Sequence, residues 1–238
     1  MLNARLHSLA ERWLPGALLR ALDPFEALIS DRLAAFVATL PDRSHVLDAG
    51  AGQCRYASAF LRHRYVALDI SVGDSSWDYS QLDILGDLEK LPIANSAFDA
   101  AISIVVLEHV REPQEVMRET ARVLRPGGRF FIVVPNQWEV HQAPYDYFRF
   151  TRYGLEHLLV KSGFRIQRVE AIGGFFWLMS RRSINLLTFF QGGLKWVIFL
   201  LLAPFLGFLI PILFYFADRL DRRKDFTLGY ICEASREG

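Results

Sequence analysis

The run Val46-Leu47-Asp48-Ala49-Gly50-Ala51-Gly52 places two glycines directly after a short apolar stretch. A chain that turns through glycines can bring its backbone close to a ligand, because no Cβ stands in the way. A helix starting there would also offer free N–H groups and a positive dipole end to an anion. About 17 residues beyond Gly52, a second apolar stretch ends in Asp69, whose carboxylate suits the paired hydroxyls of a ribose. The combination points to a nucleotide-like ligand. A dinucleotide fingerprint would need a third glycine at position 55, and Arg55 stands there, crowding both the pyrophosphate and the helix packing. A nicotinamide oxidoreductase therefore fails at this residue. A second polar segment, residues 135–152, gathers His141, Tyr145, Asp146 and Arg149.

These residues have to be carried by regular elements. Strands are expected over 45–48, 65–69, 100–106, 129–134, 164–170 and 226–234, with helices near 56–63 and over 114–124 and 155–162. The alternation predicts an α/β fold with a mostly parallel sheet and helices on both faces. Residues 1–43 read as amphipathic leading helices, closed by Pro41-Asp42-Arg43-Ser44. The 238 residues allow one such domain with an appendage. A formal charge of +1 and the lack of a basic stripe give no reason to expect nucleic acid as partner. The two cysteines, Cys54 and Cys232, have no ligand spacing and read as small buried hydrophobes, so no metal site is expected from them. Arg5, Glu11, Arg12 and Arg20 interrupt the leading apolar residues, which fits a cytoplasmic chain.

In this order the motifs resemble the class I S-adenosylmethionine-dependent methyltransferases, in particular the type 11 group, over residues 44–163. The glycine segment looks like their first motif, and Ala67-Leu68-Asp69-Ile70 resembles the acidic second-strand motif. Gly86-Asp87-Leu88-Glu89-Lys90-Leu91-Pro92 is similar to their adenine loop, and Leu107-Glu108-His109-Val110 to the end of the fourth-strand motif. The resemblance implies a Rossmann-like methyltransferase fold with an antiparallel last strand, and S-adenosyl-L-methionine as cofactor. Gly50, Ala51 and Gly52 would then line the methionine part, with Asp48 contacting it or ordering the loop. Asp69 would hold the ribose, Ile70 would pack on adenine, and Asp87 with Leu88 would read its edge. Ser103 and Val105 would face the sulfonium.

Transfer of a methyl group from a sulfonium is an in-line displacement that asks chiefly for alignment, with a base to take the proton of a hydroxyl acceptor. The segment His141-x-x-Pro144-x-Asp146-Tyr147-x-Arg149-Phe150-Thr151 resembles one found in methyltransferases of glycan and cell-surface biosynthesis. His141 is the first candidate for the base. Asp146 is expected to orient it or act itself, Arg149 to pair with Asp146 or hold an anionic acceptor, and His109 and Tyr145 to contact the acceptor. The expected acceptor is a hydroxyl of a saccharide, a lipid-linked saccharide or another amphiphilic metabolite. A non-catalytic cofactor-binding membrane module of degenerate fold is the alternative.

Between the last two strands, residues 175–224 form an apolar insertion. Residues 196–217 carry no charge over 22 positions, which as one helix would span about 33 Å. Pro204, Gly207 and Pro211 interrupt that run, and basic residues flank it: Arg181, Arg182 and Lys195 before, Arg219, Arg222, Arg223 and Lys224 after. A re-entrant hairpin or an interfacial helix pair, held at the inner face of a membrane, is expected from this pattern.

Overall fold

A computed structural model describes residues 15–73 and 76–238, and the leading residues of the expected N-terminal helices, His7 among them, lie outside that range. Two compact units emerge from the contacts. One joins residues 31–170 to the strand at the C-terminus, and the other joins the described residues up to 30 to Ala171–Leu228. The boundaries expected from the sequence, 43/44 and 174/175, lie within about a dozen residues of the breaks between these units, 30/31 and 170/171.

The first unit is built on a seven-stranded sheet. Strands β1 (His45–Ala49), β2 (Arg64–Asp69), β3 (Ile84–Leu85), β4 (Phe98–Ile104), β5 (Leu124–Pro135), β6 (Phe164–Ala171) and β7 (Gly229–Arg236) lie in the order β3-β2-β1-β4-β5-β7-β6. Strands β1 to β5 pair in parallel, and β7 runs antiparallel to β5, with Ile132 opposite Cys232. The buried, nearly unbroken apolar runs of β4 and β5 are what a strand covered on both faces requires. Phe130 and Phe131 point to opposite sides of β5 and are both fully buried, Phe130 against Phe164 of β6 and Phe131 against Phe36.

Several element boundaries differ from the sequence reading. Only a 3₁₀ turn, Ala57–Phe60, stands where a helix was expected near 56–63. Gly50, Gly52 and Cys54 all adopt left-handed backbone angles, and the Arg43 amide hydrogen-bonds the Arg62 carbonyl, so too few residues remain to nucleate an α-helix. Strand β4 stops at Ile104 because Val105 turns into the left-handed region, at φ 58°. Strand β5 starts at Leu124 and absorbs Pro126-Gly127-Gly128 as an irregularity in its pairing with β4. Helices α1 (Gly16–Leu22), α2 (Pro24–Val37), α3 (Pro113–Val123) and α4 (Arg152–Lys161) complete the part up to residue 163.

The second unit contains a helical hairpin. Helix α5 (Phe175–Leu186) and a 3₁₀ turn form its first leg. After Gln191-Gly192-Gly193, α6 (Lys195–Pro204), a π-helical turn (Phe205–Leu209) and α7 (Ile210–Ala217) form the second. The legs run antiparallel: Trp177 stacks on Tyr215, Phe176 meets Phe214, and the Ser183 hydroxyl donates to the Leu206 carbonyl. The expected breaks at Pro204, Gly207 and Pro211 are taken up by the π turn, so the helical path Lys195–Leu220 continues for 26 residues. At the base, Asp218 accepts from the Gly174 and Trp177 amides and Asp221 from the Phe175 amide, capping α5 with two carboxylates.

Candidate active site

Parallel pairing of β1, β4 and β5 brings their carboxyl ends to one edge of the sheet, where open α/β folds bind ligands. Leaving β1, the chain turns back on β2: the Gly50 and Ala51 amides both reach the Leu68 carbonyl, at 2.9 and 3.0 Å. Gly50 takes φ 91°, and a Cβ there would stand 2.4 Å from Val106 Cγ1. Only glycine fits. Asp69 fixes the far side of the loop, accepting from the Gly52 amide at 2.9 Å and the Ser71 amide at 2.7 Å. Each of its oxygens keeps a further lone pair for a hydroxyl donor.

Without an α-helix behind the glycines, the dipole argument for an anion site does not apply. Ile70 is 47% exposed beside Asp69, an open apolar surface for a flat ring. Leu88 is buried in the core cluster, so its backbone and not its side chain is left to read a ligand. The exposed Asp87 caps a turn by accepting from the Glu89 amide. Trp77, which the sequence reading passed over, lies against Gly52, where a Cβ would be 3.3 Å from its ring.

Asp48 is buried and accepts from the Tyr65 hydroxyl at 2.5 Å. Burial pushes its pKa up to about 7, and the Tyr65 hydrogen bond opposes that rise. Burial also raises both thiols, Cys232 to about 12, which keeps them out of thiolate chemistry.

A second group of polar side chains assembles beyond β4 and β5. Glu108 and His109 sit in a 3₁₀ turn (Leu107–His109) just after the strained Val105, and His141 comes from the loop following β5. Glu108 has no exposed side-chain surface, and its Oε1 lies 3.6 Å from His109 Nε2 and 3.5 Å from His141 Nε2. The two imidazoles meet edge to face, with ring centres 4.6 Å apart. Each ring is oriented from behind, His109 Nδ1 by the Tyr145 carbonyl at 2.5 Å and His141 Nδ1 by the Glu139 carbonyl at 3.2 Å. A carbonyl oxygen only accepts, so both Nδ1 atoms carry a hydrogen, and both Nε2 atoms face Glu108. Neither Glu108 oxygen and neither Nε2 has a hydrogen-bond partner, and the Ser103 hydroxyl is buried unpaired as well. The nearby Glu108 carboxylate raises the His141 pKa, against the opposing effect of burial.

The loop itself is held by an ion pair. Arg149 grips both oxygens of Asp146, at 2.5 and 2.8 Å, and donates to the carbonyls of Glu139 and Phe148. Asp146, whose side chain is 3% exposed, also accepts from the His141 amide, and its pKa is held down to about 2, chiefly by Arg149. Of the two options for Arg149, pairing with Asp146 is the one found. Its donors are committed to the loop, which leaves no fork for an anionic acceptor. Both oxygens of Asp146 are occupied within the loop, by Arg149 and the His141 amide. The Tyr147 and Phe148 amides hydrogen-bond the Glu108 carbonyl, tying the loop to the turn. Glu108 had no assigned role in the sequence reading, although an acid inside Val105-Val106-Leu107-Glu108-His109-Val110 was the available signal.

Comparison with known proteins bears on the domain and its fold. Residues 47–132 match the family model of a methyltransferase domain. A tRNA (carboxymethyluridine(34)-5-O)-methyltransferase of Arabidopsis thaliana is 34% identical over 116 residues, covering 47% of this chain and 28% of that protein. A ubiquinone biosynthesis O-methyltransferase of Coxiella burnetii is 29% identical over 103 residues, covering 39% and 44% respectively. The chain thus spans less than half the length of these relatives. Among solved structures, a Burkholderia thailandensis 1,6-didemethyltoxoflavin-N1-methyltransferase with bound S-adenosylhomocysteine has a TM-score of 0.53 at 19% identity, over 99% of this chain and 85% of that one. The fold is shared. Residues 47–132 thus resemble a methyltransferase domain, and that likeness makes S-adenosyl-L-methionine the expected cofactor.

Two outcomes test the loop. Gly50→Ala forces a methyl group into Val106, so S-adenosylhomocysteine affinity measured by calorimetry should fall at least about tenfold, a loss on the order of 1.4 kcal/mol. Adding Val106→Ala should recover part of it, the residue being the backbone strain at φ 91°. The raised pKa of Asp48 means that its contribution to stability is full below about pH 3.8 and is lost as pH rises through about 7. Asp48→Asn cannot ionise. Its melting temperature should exceed that of the wild type by a margin that widens from about pH 4 to pH 7 and then levels off. Parallel melting curves across that range would exclude the buried-carboxyl account.

Proposed function

We propose that this chain is an enzyme that transfers the methyl group of S-adenosylmethionine to a hydroxyl of an amphiphilic acceptor, a saccharide or lipid-linked saccharide, at the cytoplasmic surface of a membrane. The observation that carries this reading is the buried, unpaired cluster of Glu108, His109 and His141 at the edge of the sheet that also bears the glycine loop. A group this costly to bury unpaired needs a purpose. In the reading, the acceptor oxygen docks against the cluster, and His141 takes its proton at Nε2, where Glu108 stabilises the imidazolium. The oxygen lone pair forms the O–CH₃ bond while the S–CH₃ pair returns to sulfur, leaving neutral S-adenosylhomocysteine. Ser103 and the Val105 turn lie at the strand end facing the sulfonium. His109 and Tyr145 contact the acceptor, and the Asp146–Arg149 pair holds the loop. The names of two relatives, both oxygen methyltransferases, support oxygen as the accepting atom.

The hairpin supports the membrane part. Val197, Leu200, Leu201, Phe205, Leu213 and Phe216 are each more than half exposed, a concentration of open apolar side chains of the kind that marks an interaction surface. Lys195 stands at the tip of the hairpin, and Arg181 and Arg182 lie within its first leg. Charges there are costly at the bilayer centre. An interfacial seating, with the legs lying in the headgroup region, is therefore favoured over deep re-entry.

His141→Ala should leave S-adenosylhomocysteine affinity near wild type and cut turnover about a hundredfold, measured with labelled cofactor on extracted saccharide and lipid fractions. Unchanged turnover would remove His141 from the chemistry. In flotation with vesicles containing phosphatidylglycerol, the full chain should rise with the lipid. Leu200→Glu combined with Leu201→Glu should reduce the floated fraction at least about tenfold, since each charge opposes insertion by about 2 to 3 kcal/mol. Equal flotation of both would end the interfacial reading.

A further inference from the structure

Three ligand atoms converge at the Glu108 cluster. A Glu108 carboxylate oxygen, His109 Nε2 and His141 Nε2 all lie within 4.8 Å of one another. Glu108 is fully buried with both oxygens unpartnered, and the two imidazole nitrogens aimed at it have no partner either. A single shared proton satisfies one nitrogen and the carboxylate, and leaves the second lone pair facing a negative oxygen at 3.6 Å. One cation satisfies all three atoms.

The Nδ1 atoms strengthen the case. Metal-binding histidines commonly donate their other ring N–H to a carbonyl or carboxylate, which fixes both tautomer and ring direction. His109 and His141 each do so, toward the Tyr145 and Glu139 carbonyls. The carbonyls in turn belong to the loop that Arg149 and Asp146 hold rigid. A set of two imidazoles and one carboxylate fits borderline divalent cations such as Zn²⁺, Mn²⁺ or Co²⁺ and suits Mg²⁺ or Ca²⁺ poorly. Three protein ligands leave a tetrahedral ion one open position, the pattern of a catalytic and not a structural site.

We infer that Glu108, His109 and His141 form a binding site for one borderline divalent cation, whose open position takes the oxygen of the methyl acceptor. The cation binding stands independently, and only the acceptor's place in it rests on the function proposed above. With neutral imidazoles the cluster carries one negative charge, so a divalent ion makes it +1 and an alkoxide makes it neutral. A hydroxyl bound there loses its proton to solvent more readily, by the Lewis-acid effect that lowers the pKa of metal-bound water. The oxygen then attacks the sulfonium methyl as described, except that in the metal-loaded site the ion takes over from His141 Nε2 the task of easing the proton off, and His141 contributes as a ligand. The acceptor class narrows to hydroxyls able to reach a buried ion.

The full chain, purified and treated with EDTA, is titrated calorimetrically with ZnCl₂ alone, and with CoCl₂ while visible absorption is recorded. Expected are one ion per chain and cobalt d–d bands whose intensity reports low coordination. Glu108→Gln and His141→Ala should each weaken Zn²⁺ binding at least about tenfold, while His157→Ala does not. S-adenosylhomocysteine binding by every variant shows that it is folded. Should Glu108→Gln misfold, His109→Ala provides the same comparison. No stoichiometric binding, or binding that survives all the ligand substitutions, overturns the site. Zinc binding without methyl transfer would uphold the site and sink the enzymatic reading. Methyl transfer by a chain that takes up no metal would do the reverse.

Discussion

Glu108 lies in the interior with neither oxygen hydrogen-bonded to protein, and burying an uncompensated carboxylate is among the more expensive arrangements a fold can hold. Much of the surrounding structure acts to keep it there. Its carbonyl receives two amides of the loop after β5, so the loop cannot lift away without breaking backbone bonds at Glu108 itself. The same loop carries His141, whose ring is aimed by a carbonyl of that loop and whose amide is tied to Asp146. Asp146 in turn is neutralised by Arg149, so a compensated charge pair of the loop positions the group facing the uncompensated one. The arrangement is stiff before any ligand arrives, and preorganisation of this kind is how an active site avoids reorganising during reaction.

The turn that presents Glu108 is strained. A β-branched residue with positive φ, Val105, ends β4, and such angles persist only where the surroundings enforce them. Here the enforcing contacts are visible. The Val105 amide bonds the Val133 carbonyl of β5, and the neighbouring Val106 fills the space that Gly50 leaves by lacking a Cβ. The cofactor loop and the cluster-bearing turn are therefore two halves of one packing arrangement. Glycine at position 50 is required by the Val106 contact, and the ligand approach proposed above would use the same missing Cβ.

How much of this was legible in the sequence depends on the range of the interaction. The parallel order, the strand ends carrying Asp69 and the glycines, and the helix stop before Pro126 all follow from local pattern and were read correctly. The missing helix after Gly52 was not, because its absence depends on Cys54 taking a left-handed angle and on the Arg43–Arg62 amide bond, neither of which leaves a periodic trace. In the candidate site, His141, Asp146 and Arg149 stood out in the sequence by type and spacing. Their division of labour did not, since it depends on which donors the loop backbone consumes. Glu108 went unassigned because its importance lies in what fails to pair with it, a property only three dimensions reveal.

The apolar insertion makes the same point from the other side. Its hydropathy is plain in the sequence, yet the position of its charges along a folded hairpin decides what the hydropathy means. Read linearly, Arg181, Arg182 and Lys195 precede the apolar run and form a flank. Folded, Lys195 starts the second leg next to the Gly192-Gly193 turn, and the two arginines sit partway along the first. A hairpin plunging into hydrocarbon would carry its tip charge inward, whereas one lying along the interface keeps every cation within reach of headgroups and water. Both ends of the insertion are fastened together at its base, where Asp218 and Asp221 cap α5 and the Thr227 hydroxyl reaches the Ile172 carbonyl. The excursion from the sheet therefore returns to its starting point, and the flanking strands β6 and β7 can join one sheet whatever the hairpin rests on.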